Sequence, residues 1–211
     1  MAKKQLKDRA YDELKRRILA GDIPPGEFLE ERALESMLGM SRTPIRGALQ
    51  RLEMEDLVHY TPNRGLSVAE LSIKRAVDVY YFRIALESYV ARKLSNRTWS
   101  DDEIEHVASI LNRQRESMEN KDCTRFTEED WEFHRALISI YGNKEIIQSM
   151  ERIQDSLFQI ALRVLQKDEG RIGVSLDDHE QIFHSILTGE PERAAEKTMQ
   201  HLEFGRQILI M

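Results

Sequence analysis

One cysteine, Cys123, is all the chain has, so no internal disulfide can staple it, which suits a reducing compartment. No stretch comes near the ~20 consecutive apolar residues that a membrane span needs, and Met1–Ala10 is too polar for a signal peptide. These absences lead to the expectation of a soluble cytoplasmic protein with no membrane partner. Positive charge is also short. The sequence sets 31 Lys and Arg against 37 Asp and Glu, a net charge of −6, so it carries no general field for polyanions. The deficit is uneven: residues 1–70 hold twelve basic and twelve acidic side chains, and the whole −6 falls on residues 71–211. Beyond residue 70 no convincing apolar/polar alternation occurs, which argues against a sheet-built second half. What remains, 211 residues that are 41% hydrophobic, can fill one or two real cores.

What is present is most concentrated between Pro25 and Val68. Leu34, Met37 and Leu38 share one helical face, and the run stops at Gly39, suited to a left-handed helix end. Ser41 then stands as an N-cap candidate for a second helix, in which Ile45, Leu49 and Leu52 face inward and Arg42, Thr43, Arg46 and Gln50 face outward. Upstream, Leu6, Ala10, Leu14, Ile18 and Leu19 stripe another helix, cut off by Gly21–Gly26. Downstream, Val58–Tyr60 and Leu66–Val68 are strand-like runs joined by Thr61-Pro62-Asn63-Arg64-Gly65, a hairpin with a basic tip. Helix, Gly-containing turn, basic helix and hairpin make a winged helix-turn-helix, whose second helix enters the major groove.

The residue types fit that task. Ser41 and Thr43 hydroxyls, and the free amides of the first turn, can bond phosphate at the positive end of the helix. Arg42 and Arg46, one turn apart, can fork onto guanine O6 and N7. Arg64 can reach the neighbouring minor groove, since Gly65 lets the backbone approach closely.

The same residues carry a family resemblance. Ile18-Leu19-Ala20-Gly21, Pro25-Gly26-Glu27, Leu29-Glu30-Glu31, Leu38 through Arg46, Ala48 through Leu52 and Asn63-Arg64-Gly65 closely resemble the winged-helix domain of GntR-family bacterial transcription regulators. The resemblance implies DNA contacts from Arg32, from Ser41, Arg42, Thr43, Pro44 and Arg46, and from Arg64 with Gly65. One position departs: Gly47 stands where the family commonly has Glu, and a mid-helix Gly costs ~1 kcal/mol relative to Ala.

The second half reads as six antiparallel helices. They are expected over about 72–95, 100–120 (opened by the Ser100/Glu103 capping box), 122–141, 143–166, 175–189 (opened by Ser175 and Asp178) and 191 to the C-terminus, with Lys167–Val174 as the one substantial connector. The third helix has a polar anomaly. Its inner stripe carries Asp130 and His134, four residues apart, among Phe126, Phe133, Leu137 and Ile138. His179 shares a face with Ile182, Phe183 and Ile186, and His201 one with Ala194, Thr198 and Leu202. If these helices meet at the bundle axis, Asp130, His134, His179 and His201 form a three-nitrogen, one-oxygen site for a divalent transition metal, Zn first with Ni or Mn as alternatives. A satisfied core histidine is the competing explanation for each imidazole alone. His184, five residues past His179, points ~140° away and is expected outside the cluster, as are His59 and His106.

Asp130-Trp131-Glu132-Phe133-His134, then His179 and His201, resembles the full ligand set of the FCD domain, the ligand-binding bundle of the FadR-type GntR branch, in its shorter six-helix form. The resemblance implies an effector-binding arginine at Arg83; on the residues alone, Arg83 equally makes an i,i+4 surface pair with Glu87. Asn143 is a further effector candidate, though helix capping explains it as well. The expectation is therefore a winged helix-turn-helix at 1–70 and an all-α effector-binding and dimerisation domain at 71–211, coupled near Glu70–Ile73. It would be a homodimeric repressor that binds a palindromic double-stranded operator and senses a small organic or sugar acid. A purely structural metal, or a helical-bundle metalloenzyme, would use the same four side chains.

Overall fold

A computed structural model describes residues 5–70, 72–168 and 170–210. The chain forms two compact units, residues 1–71 and 72–211. Leu71, in the expected coupling segment, and Glu169, in the expected connector, lie outside the described residues.

The first unit has three helices, α1 (Leu6–Ala20), α2 (Glu31–Leu38) and α3 (Arg42–Met54), and a hairpin of β1 (Val58–Thr61) with β2 (Gly65–Val68). Gly21 and Gly39 end α1 and α2 at φ of 82° and 63°, the left-handed conformation that glycine adopts without strain. Ile45, Ala48, Leu49 and Leu52 of α3 bury against Ala10, Leu14 and Ile18 of α1. The expected α1 stripe needs one correction: Leu6 is exposed and Tyr11 is buried in its place. The Tyr11 hydroxyl donates to Glu55 at 2.6 Å while the Arg51 guanidinium stacks 3.6 Å over its ring, so one aromatic ties α1 to the end of α3. Met37 is likewise exposed, leaving Leu34 as the buried anchor of α2.

The strands pair antiparallel from Val58 opposite Val68 to Thr61 opposite Gly65. The segment before α2 lies along the far side of β2: Leu29 N donates to Leu66 O at 2.8 Å and Val68 N to Glu27 O at 2.9 Å. Gly26–Leu29 thus covers an edge that would otherwise leave unpaired backbone groups.

The second unit is all helix: α4 (Ile73–Leu94), α5 (Asp101–Glu119), α6 (Cys123–Tyr141), α7 (Lys144–Lys167), α8 (Arg171–Leu187) and α9 (Pro191–Ile210). Polar caps set the starts: Ser72 Oγ accepts from Arg75 N, Ser100 and Glu103 close a capping box, and Asp122 and Asn143 cap α6 and α7. α4 packs chiefly on α9, α5 on α6, and α8 on α9. Five of the six helices start within two residues of expectation; α8 starts at Arg171 rather than Ser175. Burial of Arg171, Ile172, Ser175 and Leu176 outweighs the loop-like composition of that turn, and Ser175 points into the protein instead of capping.

Candidate nucleic-acid interface and metal centre

On the winged-helix unit, α3 offers its polar start to solvent. Ser41, Arg42, Thr43, Arg46 and Gln50 are exposed, Pro44 is half-buried in the first turn where its missing N–H costs nothing, and Arg32 on α2 is exposed. Ser41 holds the N-cap position, yet its hydroxyl makes no capping bond, so both it and the first-turn amides stay available to an anion. In the wing, Asn63 (φ 64°) and Gly65 (φ 89°) turn the chain and leave Arg64 exposed at the tip. Sequence reasoning missed one feature. Arg46 donates through Nε and Nη2 to Glu31 at 2.7 and 3.0 Å, and Arg42 Nε donates to Glu35 at 3.2 Å. Two carboxylates of α2 therefore hold the forks that are expected to read bases, and the Arg46 hydrogen bonds keep the Glu31 carboxyl below its ordinary range.

In the bundle, the four candidate ligands come from three helices and meet. One donor atom each from Asp130, His134, His179 and His201 lies within 4.8 Å of all the others. His179 Nε2 is 3.2 Å from His201 Nε2 and 3.4 Å from Asp130 Oδ1. Two donors that hold one ion at ~2.1 Å lie ~3.0–3.4 Å apart at octahedral to tetrahedral angles, a range these two spacings match.

The protons say the same. His134 Nδ1 donates to Glu87 at 2.6 Å, since an ionised carboxylate only accepts, while His201 Nδ1 lies between Asp178 Oδ2 at 3.1 Å and Arg171 Nη2 at 3.3 Å. His179 Nδ1 faces Gln114 Oε1 at 2.8 Å, and that amide is oriented by its own Nε2 donating to the Glu129 carbonyl at 2.9 Å. His134 and His179 thus keep a bare Nε2, and the His179 Nε2 lies 3.2 Å from that of His201. His134 Nε2 is buried with no hydrogen-bond partner among the described residues, a costly state for a polar atom unless something accepts the lone pair. At His179 itself, burial, reinforced by His201 and His134, holds the imidazole well below its ordinary pKa. Phe133 stacks on the His179 ring, centroids 4.4 Å apart, and fixes its plane.

Around this cluster lies a second layer. Arg83 on α4 is buried and does pair with Glu87, Nε to Oε1 at 2.6 Å, so the i,i+4 partner is real but the surface setting is not. Glu87 is buried too; Arg83 and His134 overcome that burial and hold its carboxyl at about 2. Arg171 Nη2 reaches Asp178 at 3.4 Å and the His201 carbonyl at 3.3 Å. Tyr80, Arg83, Asp130, Arg171 and His201 line one cavity of about 30 Å³. Asn143 does not line it; its Oδ1 accepts from Glu145 N and Ile146 N at the exposed start of α7. His106 and His184 are exposed and outside the cluster, and His59 is exposed on the winged-helix unit.

Comparison with known proteins agrees with both halves. Residues 6–68 match the family model for bacterial regulatory proteins of the gntR family, and residues 78–204 match the FCD domain. The chain belongs to the GntR family, in its FCD-containing FadR-type branch. The gluconate operon transcriptional repressor of Bacillus licheniformis is 26% identical over 202 residues, 92% of this chain and 81% of the relative. The transcriptional repressor RspR of Escherichia coli is 25% identical over 196 residues, covering 92% and 84%. A putative GntR regulator from Rhodococcus sp. RHA1 shares the fold, with TM-score 0.80, 24% identity and 97% of each chain covered. This GntR-family chain is therefore a DNA-binding transcription regulator, and its relatives are regulators rather than enzymes. Among the described residues no helix is long and apolar enough to cross a membrane.

Of the residues that build this cluster, the sequence signalled Asp130, His134, His179 and His201 and missed Gln114, Asp178 and Arg171. Asp178 was spent on a helix start and Arg171 on a connector. Only the packing of α5, α8 and α9 shows what they touch.

Proposed function

We propose that this regulator is a repressor that binds a palindromic operator as a homodimer, and that Asp130, His134, His179 and His201 hold a divalent transition metal, Zn before Ni or Mn, beside which a small carboxylate effector binds. Residues 1–70 would contact DNA, through Arg32, Ser41, Arg42, Thr43, Pro44, Arg46, Arg64 and Gly65. Residues 71–211 would bind the effector and dimerise. One observation carries the metal reading: three buried imidazoles and the Asp130 carboxylate from three helices bring one donor atom each within 4.8 Å of all the others, with the His134 and His179 Nδ1 atoms held by Glu87 and Gln114. Such outer partners set the tautomer and raise ligand basicity.

When bound, the ion supplies a Lewis-acidic position for a carboxylate oxygen. The chain's own residues do the rest: Glu87, Gln114 and Asp178 orient the rings, Phe133 blocks rotation of His179, and the cavity excludes bulk water. Repressor action is supported by the names of two relatives. Dimerisation is supported by the exposed aromatics Tyr81, Phe82 and Tyr89 on α4, a face that a second copy would cover.

To reverse DNA occupancy from 1:99 to 99:1, the effector must favour the released state by ~5.5 kcal/mol. Operator affinity of the metal-loaded chain, titrated with and without short organic acids, tests the reading. A drop in affinity with one acid class is expected; identical affinities throughout would remove sensing and leave DNA binding intact.

A further inference from the structure

The effector cavity contains a cation that the family resemblance did not point to. Arg83, the arginine so indicated, already has its fork filled by Glu87, with Nε to Oε1 at 2.6 Å and Nη2 to Oε2 at 3.4 Å. Arg171 is different. Its side chain is 2% exposed, its Nη2 is used by Asp178 and the His201 carbonyl, and its Nη1 is buried without any partner among the described residues. The guanidinium is also held in place, 4.5 Å over the Phe204 ring. A fixed, desolvated cationic donor with an empty N–H is a receptor for an anion, and it lines the same cavity as Asp130 and His201.

The rest of that cavity limits what the anion can be attached to. Ala161, Val164 and Leu165 of α7, with Leu202 of α9, form an apolar wall. At about 30 Å³ the space equals roughly two water-sized volumes. Gly205 allows no extension on the α9 side, since even a Cβ there would meet the Tyr80 hydroxyl at 2.6 Å. Charge narrows the class further. The pairs Arg83–Glu87 and Arg171–Asp178 each cancel, and Asp130 leaves one unit on a divalent ion, which a monoanion balances.

We propose that Arg171 Nη1 and the open side of the Asp130–His134–His179–His201 cluster together receive the carboxylate of a short monocarboxylic acid, and that polyhydroxylated sugar acids are excluded by the small cavity and its apolar α7 wall. This rests on the metal-and-carboxylate reading above and departs from the gluconate that one relative's name carries.

The test uses the full chain loaded with Zn, its metal content measured for every variant, and acetate, propionate, butyrate and gluconate as probes in calorimetry and thermal shift. Expected for the native chain are binding and stabilisation by the short acids and no response to gluconate. Arg171→Gln should keep the metal and bind propionate at least ~10-fold more weakly, the scale of a lost charged hydrogen bond. Arg171→Lys keeps the charge but loses the fork, and should be weaker than native too, which serves if the glutamine variant does not fold. Undiminished propionate binding in either folded variant overturns the assignment. So does loss of metal together with ligand, which would make Arg171 only a brace for His201, and so does gluconate binding as tightly as propionate. A native, metal-loaded chain that answers to no acid at all would instead defeat the effector reading itself.

Discussion

Two arginine–carboxylate clasps, chemically alike, stand in opposite surroundings. Arg46 and Glu31 meet on the surface of the winged-helix unit with side chains 62% and 32% exposed; Arg83 and Glu87 meet inside the bundle at 5% and 4%. Water screens the first, so its fork can leave the carboxylate for a guanine edge at small cost. Breaking the second strands a charge in the interior. The surface clasp is thus an exchangeable placeholder, whereas the buried one fixes Glu87, through it the His134 tautomer, and hence one member of the proposed metal cluster.

The contrast breaks most severely at the buried clasp. Arg83→Met should cost the bundle about 3–5 kcal/mol, read from urea unfolding; a loss under ~1 kcal/mol would mean that the pair is not truly desolvated. Next in size are the outer partners of the metal. Gln114→Ala should lower Zn affinity ~10- to 100-fold in competitive chelation with little change in fold, and unchanged affinity would show that His179 needs no orienting acceptor.

At the surface clasp the readout moves to DNA. Arg46→Ala should weaken operator binding ~5- to 150-fold, the range for one bidentate base contact, and barely touch non-specific DNA. Glu31→Gln should act the other way, freeing a cation: non-specific affinity rises and the salt slope steepens by ~0.9 if the released guanidinium finds a phosphate. Equal effects of Arg46→Ala on both DNAs would argue against base reading. The smallest change expected is at Gly47. An added Cβ would sit 3.8 Å from Lys7 Cβ, an ordinary contact, so Gly47→Ala should stabilise the DNA-binding unit by about 0.5–1 kcal/mol in thermal unfolding.

What could be read from the sequence divides along the same line. Local spacing placed α2, α3 and the wing, because a Gly stop, a polar helix start and an Asn-Arg-Gly tip act over a few residues. It also placed the four metal-ligand candidates, since Asp130 and His134 sit one turn apart on an apolar face. The edge contact of Gly26–Leu29 with β2 was not legible, because the pairing is made by backbone groups whose side chains carry no alternating pattern. Nor was the first turn of α8: Gly170-Arg171-Ile172-Gly173 reads as a loop until Arg171 and Ile172 are seen buried. Glu87 was visible as a helical neighbour of Arg83, but its second oxygen goes to His134 on another helix. Gln114 and Asp178 act entirely across helices, which no spacing within one segment can show.

X-ray absorption at the Zn edge of the metal-loaded, full-length chain tests the central claim most directly. The account predicts one ion per chain, a shell of nitrogen and oxygen alone at ~2.0–2.2 Å, and the multiple-scattering signature of three imidazoles. A sulfur neighbour, or an ion count that does not fall when His179 is replaced by Ala, would contradict it.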